Sequence, residues 1–270
     1  MNISFSEPAA DQCDDCAYYK QLDENSFKEQ EWKDHLEMAK KARQKYRNDS
    51  AMQWPADTAV CAADLQKVLL LPYLHDLKVC VFTSRLATFN ETFARMGKNK
   101  TGRNILVVWN ESVAGRKKED VAFAYVVEKH RDTDKFIFWL DNCASQNKNW
   151  SFNTMLCKLV NSSSTCSPSE ITVKYLVAGH THMDADSIHG HVEKAMRCKK
   201  DVYDMDDLMK NSNRRNDVHV LTPQNFRDWP AENRSCTVKG QSIPLLRTIV
   251  QARFVCSSTQ MFDFDDVDEK

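Results

Sequence analysis

The sequence predicts an α/β fold, a mixed sheet flanked by helices, on three observations. First, the runs Asn104-Ile-Leu-Val-Val-Trp109, Phe136-Ile-Phe-Trp-Leu140 and Ile171-Thr-Val-Lys-Tyr-Leu-Val-Ala178 have the length and the β-branched and aromatic content of buried strands. Second, stretches of helical spacing alternate with the later runs. Third, two of the runs pass directly into polar clusters, Asp141-Asn-Cys-Ala-Ser-Gln-Asn-Lys-Asn149 and Gly179-His-Thr-His-Met-Asp-Ala-Asp-Ser-Ile-His189. Chemistry in open α/β sheets gathers at the carboxyl ends of strands, so the clusters read as two walls of one site. Capping of the following helices by Asp141 and Asp186 is the plainer reading, but a cap needs a single polar residue and these clusters carry several.

In chain order, Cys13-Asp-Asp-Cys16 precedes a charged helical stretch over residues 26–47 whose sparse apolar positions are Trp32, Leu36, Ala39 and Tyr46. That pattern suits a helix exposed or packed on a partner, a coiled coil included. Gln53-Trp-Pro-Ala-Asp57 leads out of it. Thr58 to Leu71 is dominated by Val, Ala, Leu and Cys and reads as the first strand region. Asp64 interrupts it, and burying an unpaired carboxylate is costly enough to require a reason. Lys78 to Phe93 reads as a second strand region and Asn104–Trp109 as a third. Glu119 to His130 has helical spacing, with Val121, Ala122, Tyr125 and Val126 apolar. The Phe136–Leu140 strand, a helix near Ser151–Val160, a Ser-rich loop, the Ile171–Ala178 strand and a helix from about Asp184 to Lys199 complete the series. The order β-β-β-α-β-α-β-α is that of a ribonuclease-H-like fold. There the first strand carries one acid, the fourth ends in a second, and the helix after the fifth carries a third; Asp64, Asp141 and Asp186 occupy those places. The expected organisation is an N-terminal appendage over 1–54, a ribonuclease-H-like core over 55–205 and an extension over 206–270 with an acidic tail.

Of 270 residues, 42% are hydrophobic, enough for a sizeable core, and the net charge is −1. The sequence pI of about 6.7 argues against a compact basic nucleic-acid-binding module. Arg116-Lys-Lys118, Arg197 with Lys199-Lys200, and Arg214-Arg215 are local basic clusters that read as solvated faces. Ten cysteines lie mostly alone, no apolar run is long enough to span a membrane, and no signal peptide begins at Met1. A reducing compartment, nuclear or cytoplasmic rather than secreted, is expected, with Cys61, Cys80, Cys157 and Cys256 as small core residues.

Three carboxylates on separate elements can hold two hard divalent cations through oxygen, which favours Mg²⁺ or Mn²⁺ over Zn²⁺. Such ions serve phosphodiester cleavage by activating a nucleophile and steadying the leaving oxygen. Asp186, His189 and Glu193, spaced i, i+3, i+7, share one helix face opposite Ile188, Val192 and Ala195. Asp186 is the expected third acid and Glu193 its reserve. The amides of Asn142, Gln146, Asn147 and Asn149 can bond phosphate or base, Lys148 can meet a phosphate, and His180 and His189 complete the expected substrate contacts. An amide-stabilised loop is the alternative for residues 142–149. Cys13-x-x-Cys16 is half of a zinc site, with His35 as a third ligand. No fourth ligand is evident; His75 and Cys61 are candidates. Gly179-His-Thr-His182 is similar to the last motif of calcineurin-like metallophosphoesterases, whose earlier motifs this chain lacks.

Taken together, Ala63-Asp-Leu-Gln66 with Leu71-Pro72, Val108-Trp-Asn-Glu111, Asp141-Asn-Cys-x-x-Gln-Asn-Lys-Asn149 and Gly179-His-Thr-x-x-x-x-Asp186-x-x-His189-x-x-x-Glu193 resemble the motif series of a transposon-associated, transposase-like domain family. The likeness runs over about residues 10–230 and includes the Cys-x-x-Cys and charged helix ahead of the domain. It implies a ribonuclease-H-like core that performs divalent-metal-dependent DNA strand transfer or phosphodiester cleavage, or a host protein derived from one. Ala144-Ser145 replace a Gly common after the Asp-Asn-Cys motif. No separate DNA-binding module precedes the Cys-x-x-Cys, which points to a fragment or a domesticated copy. The alternatives are a catalytically inactive interaction protein, partnering or self-associating through helix 26–47, and a metallophosphoesterase.

Overall fold

Side-chain alternation along the first strand assigns both faces of the sheet. In β1 (Thr58–Leu65), Cys61, Ala63 and Leu65 enter one apolar cluster, while Val60 and Ala62 enter another on the opposite face. Asp64 follows Ala62 on that second face. The computed structural model describes residues 13–22, 28–74, 82, 84–116, 118–161, 168–198, 201–212, 216–226, 246, 248–256 and 258–262. His75, Cys80, the start of the helix at Ser26, the start of the second strand region at Lys78, Lys117, Lys199, Lys200, Arg214, Arg215 and the acidic tail lie outside them.

The strands are β1, β2 (Leu69–Leu71), β3 (Tyr73–Leu74), β4 (Leu86–Arg95), β5 (Asn104–Asn110), β6 (Lys135–Leu140), β7 (Glu170–Tyr175), β8 (Asp201–Val202), β9 (Asn216–Val220), β10 (Gln251–Val255) and β11 (Ser258–Phe262). The main sheet runs β11-β10-β7-β6-β1-β4-β5-β9, and β2 also pairs with β4; β3 and β8 form a separate pair. At its centre, β5-β4-β1-β6-β7 has β4 antiparallel to β1 and β5, and β6 parallel to β1 and β7. This is the ribonuclease-H-like topology. The Thr58–Leu71 run is two strands, because the chain leaves the ladder over residues 66–68 and rejoins β4 further along as β2, still antiparallel to it. Polar residues 216–220 and the 251–262 hairpin extend the same sheet at its two edges.

The helices are α1 (Asp14–Gln21), α2 (Glu29–Ala51), α3 (Glu119–Lys129), α4 (Trp150–Asn161), α5 (Asp184–Cys198) and α6 (Met205–Ser212). One sheet face packs on α3 and α4 through Phe93, Phe123, Phe138 and Phe152, whose rings meet edge to face. The other face packs on α2, α5 and α6. Among the cysteines, Cys61 is buried and Cys157 half-buried against the core, whereas Cys256, expected inside, is exposed after β10.

The charged helix is corrected in one respect: its inner stripe is covered by its own chain. His35, Ala39, Ala42 and Tyr46, spaced i, i+4, i+7, i+11, are buried. Alanines at two of these positions let α2 lie close, and the Tyr46 ring meets Trp139 edge to face. Further along, Asp49 Oδ2 accepts from Lys174 Nζ at 2.7 Å and from Trp139 Nε1 at 2.8 Å, with little solvent access. Asp49→Ala leaves a largely buried ammonium and an indole N–H without their acceptor, so it should cost about 3 kcal/mol in denaturant unfolding. A loss below about 1 kcal/mol would show that solvent replaces the carboxylate there. Among the described residues, no helix is long and apolar enough to cross a membrane.

Candidate active site

Strand register brings the first two acids side by side. Parallel β1 and β6 pair Ala63 with Leu140, so the next residues, Asp64 and Asp141, are neighbours at the carboxyl ends of adjacent strands. The third acid, Asp186, comes from the first turn of α5. Ligating atoms of Asp64, Asp186 and His189 all lie within 4.8 Å of one another. Burial, then the charges of Asp141 and Asp186, push the Asp64 carboxyl up to about 8. Burial also raises Asp141, moderated by the Asn147 side-chain amide, which donates to its Oδ1; Asp186 raises it further. Keeping Asp64 charged here with no counter-ion would cost on the order of 5 kcal/mol. Two carboxylates and an imidazole so placed form a donor set that could hold a metal ion, and Asp141, the expected further ligand, stands beside this set rather than within it.

Asp186 also acts locally. Its Oδ2 accepts the Met183 backbone N–H at 2.6 Å and lies 3.3 Å from His182 Nδ1. It therefore closes the start of α5 in the manner of a capping box, so the capping and acid-cluster readings coexist in one carboxylate. His189 shares the Asp186 side of the helix and is buried there rather than open to solvent. Its Nδ1 sits 3.8 Å from Asp64 Oδ2, and burial holds its imidazole below the usual range. Glu193 lies outside the acid cluster, pairing with Lys67 at 3.0 Å and facing Arg197 at 3.9 Å.

The 142–149 segment is occupied with its own construction. Asn149 Oδ1 accepts the Phe152 N–H at the head of α4, and its Nδ2 donates to the Gln146 carbonyl. Lys148 is buried, donates to Asn142 Oδ1 at 2.8 Å and lies 4.9 Å over the Tyr175 ring. Tyr175 donates its hydroxyl to the Asn147 carbonyl. Asn142, Gln146, Asn147, Lys148 and Asn149 do not line the cleft described below. The bonds of Asn142, Asn147, Lys148 and Asn149 within the segment brace the loop, and Asn147 thereby positions Asp141.

The second cluster closes around Cys13-x-x-Cys16. Cys13 Sγ lies 3.3 Å from His35 Nε2, Cys16 Sγ lies 3.5 Å from His180 Nε2, and the two imidazole nitrogens are 3.2 Å apart. All four ligating atoms fall within 4.8 Å of one another. Burial and the neighbouring Cys13 push the Cys16 thiol up, while burial, His35 and Arg43 hold His180 below the usual imidazole range. His180, expected at substrate, thus stands where the fourth ligand was missing. Cys61 points into the opposite face of the sheet. The Gly-His-Thr-His pair is divided: His180 turns to the cysteines, and His182 is exposed beside Asp186. Spacing could not reveal this set, because His35 and His180 are 145 residues apart.

Between the acids and α2 opens a cleft of about 780 Å³, lined by Leu36, Ala39, Lys40, Arg43, Asp64, Asp141, the 179–182 turn and Asp186. Lys40 and Arg43 put positive charge on the wall facing the acids, a feature hidden in the sequence because the charged helix had no visible partner. Arg43 donates to the carbonyls of His180 and His182, which ties that wall to the turn carrying Asp186. A family described as a domain of unknown function (DUF7869) matches residues 123–249, just under half of the chain, and the match takes in Asp141, His180 and Asp186. No curated protein and no solved structure matches the chain.

Proposed function

We propose that the chain carries out divalent-metal-dependent cleavage or strand transfer of DNA phosphodiesters, as a transposase-like protein. The observation that carries this reading is the meeting of Asp64, Asp141 and Asp186 at one cleft of a ribonuclease-H-like sheet. These three acids would hold Mg²⁺ or Mn²⁺, and the bound ions would supply charge stabilisation to the attacking and leaving oxygens. The chain's own contributions are positional. Asn147 orients Asp141, the Met183 N–H and His182 orient Asp186, and buried His189 backs Asp64. The α2 wall excludes bulk water from one side, and Lys40 meets the DNA backbone as a point charge.

The test is single-turnover cleavage of end-labelled DNA by the full chain with Mn²⁺, Mg²⁺ or Ca²⁺. Cleavage is expected with the first two and should be lost in Asp141→Asn. Cleavage that is unchanged in that variant overturns the mechanism. Lys40→Ala should weaken DNA binding about equally across sequences and lower the salt dependence by about one counter-ion. An unchanged salt slope, read by fluorescence anisotropy, would remove Lys40 from the DNA path.

A further inference from the structure

We infer that Cys13, Cys16, His35 and His180 bind one Zn²⁺, and that this ion locks the N-terminal helices onto the turn that carries Asp186. The site stands independently of the phosphodiester reading. Tetrahedral zinc with N and S ligands, at about 2.05 and 2.3 Å, requires ligand separations of about 3.3 Å between nitrogens and about 3.6 Å between nitrogen and sulfur. The observed separations are 3.2 Å between the imidazole nitrogens, and 3.3 and 3.5 Å between nitrogen and sulfur. Four donors whose ligating atoms all lie within 4.8 Å of one another, two of them thiols, form a set that favours zinc over Mg²⁺. Asp15 Oδ2 lies 3.9 Å from the other ring nitrogen of His35, the place where a carboxylate commonly supports a metal-bound imidazole.

The consequence for the cleft follows from chain connectivity. His180 begins the short segment that ends at Met183, whose N–H holds Asp186. Cys13 packs so tightly under Gly179 that an added Cβ would lie 2.6 Å from its Cα and Cβ. Arg43 of α2 grips the carbonyls of His180 and His182 from above. Zinc would therefore tie the turn to Cys13, Cys16 and His35 while Arg43 holds its carbonyls, and Asp186 would be a passenger on that turn.

The experiment is metal analysis of the purified full chain, followed by replacement of the metal with Co²⁺. One zinc per chain is expected, and the cobalt form should show tetrahedral visible bands with thiolate charge transfer. His180→Ala should lose most of the zinc. His180→Cys should keep it with an added thiolate in the cobalt spectrum, and His182→Ala and Asp64→Asn should keep full loading. A chain that stays free of zinc in zinc-supplemented medium, or that holds Cys13 and Cys16 as a disulfide after purification under reducing conditions, overturns the site. Full zinc in His180→Ala, with an unchanged cobalt spectrum in His180→Cys, overturns the ligand assignment. If zinc is bound as expected but DNA is never cut, the phosphodiester reading fails and this one stands.

Discussion

Asp64→Asn should lower Mn²⁺-dependent DNA cleavage by at least about 10³-fold, because several kcal/mol of metal-borne charge stabilisation depends on the site it helps to form. The same substitution should leave the metal-free fold as stable as the parent at acid pH and more stable at alkaline pH. The sign follows from Asp64, whose carboxyl in the fold is raised from 3.8 to about 8, first by burial and then by Asp141 and Asp186. Below about pH 4 the group is neutral in both folded and unfolded chains, and no penalty exists. Between about pH 4 and pH 8 the unfolded chain has lost this proton and the folded chain keeps it. Stability therefore falls as pH rises, by up to about 1.4 kcal/mol per pH unit, and the penalty is complete above pH 8. The amide removes that dependence. Mn²⁺ should reverse it in the parent alone, so its stabilising effect should grow from pH 6 to pH 8. Melting curves in chelator and in Mn²⁺ at several pH values would check this. A variant that loses stability equally at every pH, and that still responds to Mn²⁺, would make Asp64 a packing residue.

Gly179→Ala is the second large effect, and it acts without removing any ligand. Gly179 has a φ of +73°, where a side chain costs about 1 kcal/mol, and its Cβ would strike the backbone of Cys13. Relief requires α1 or the 179–183 turn to move. A loss of about 2–3 kcal/mol in stability is expected, together with a drop of tenfold or more in cleavage as Asp186 shifts. Gly190→Ala provides the contrast. It lies within α5 with nothing within 4 Å of an added Cβ, so it should stabilise by about 0.5–1 kcal/mol. Equal and small effects at both glycines would show that α1 is not seated under the turn.

The central sheet was legible in the sequence because its strands rest on local patterns. The apolar runs of β5, β6 and β7 mark themselves, and Asp64 stands out because a carboxylate in such a run needs a reason. The edge strands β9, β10 and β11 were not picked out: Asn216-Asp-Val-His-Val220 alternates over too few residues to mark itself, and it owes its place to pairing with β5. His180 was assigned to substrate because its partners lie far away in sequence, although the Gly-His-Thr-His turn held the clue. The 142–149 amides are ambiguous in the sequence for a related reason. Amides that bond a ligand and amides that bond their own loop look alike until Asp141 and the head of α4 are seen sharing those bonds. The cationic wall of Lys40 and Arg43 depends on where α2 docks, which Ala42 and Tyr46 decide through packing.

The most direct test of the acid site is anomalous diffraction from a crystal of the chain soaked in Mn²⁺. A peak held between Asp64, Asp141 and Asp186 is the predicted result. Strong manganese density at other carboxylates, with none at these three, would contradict a metal-dependent phosphodiester site.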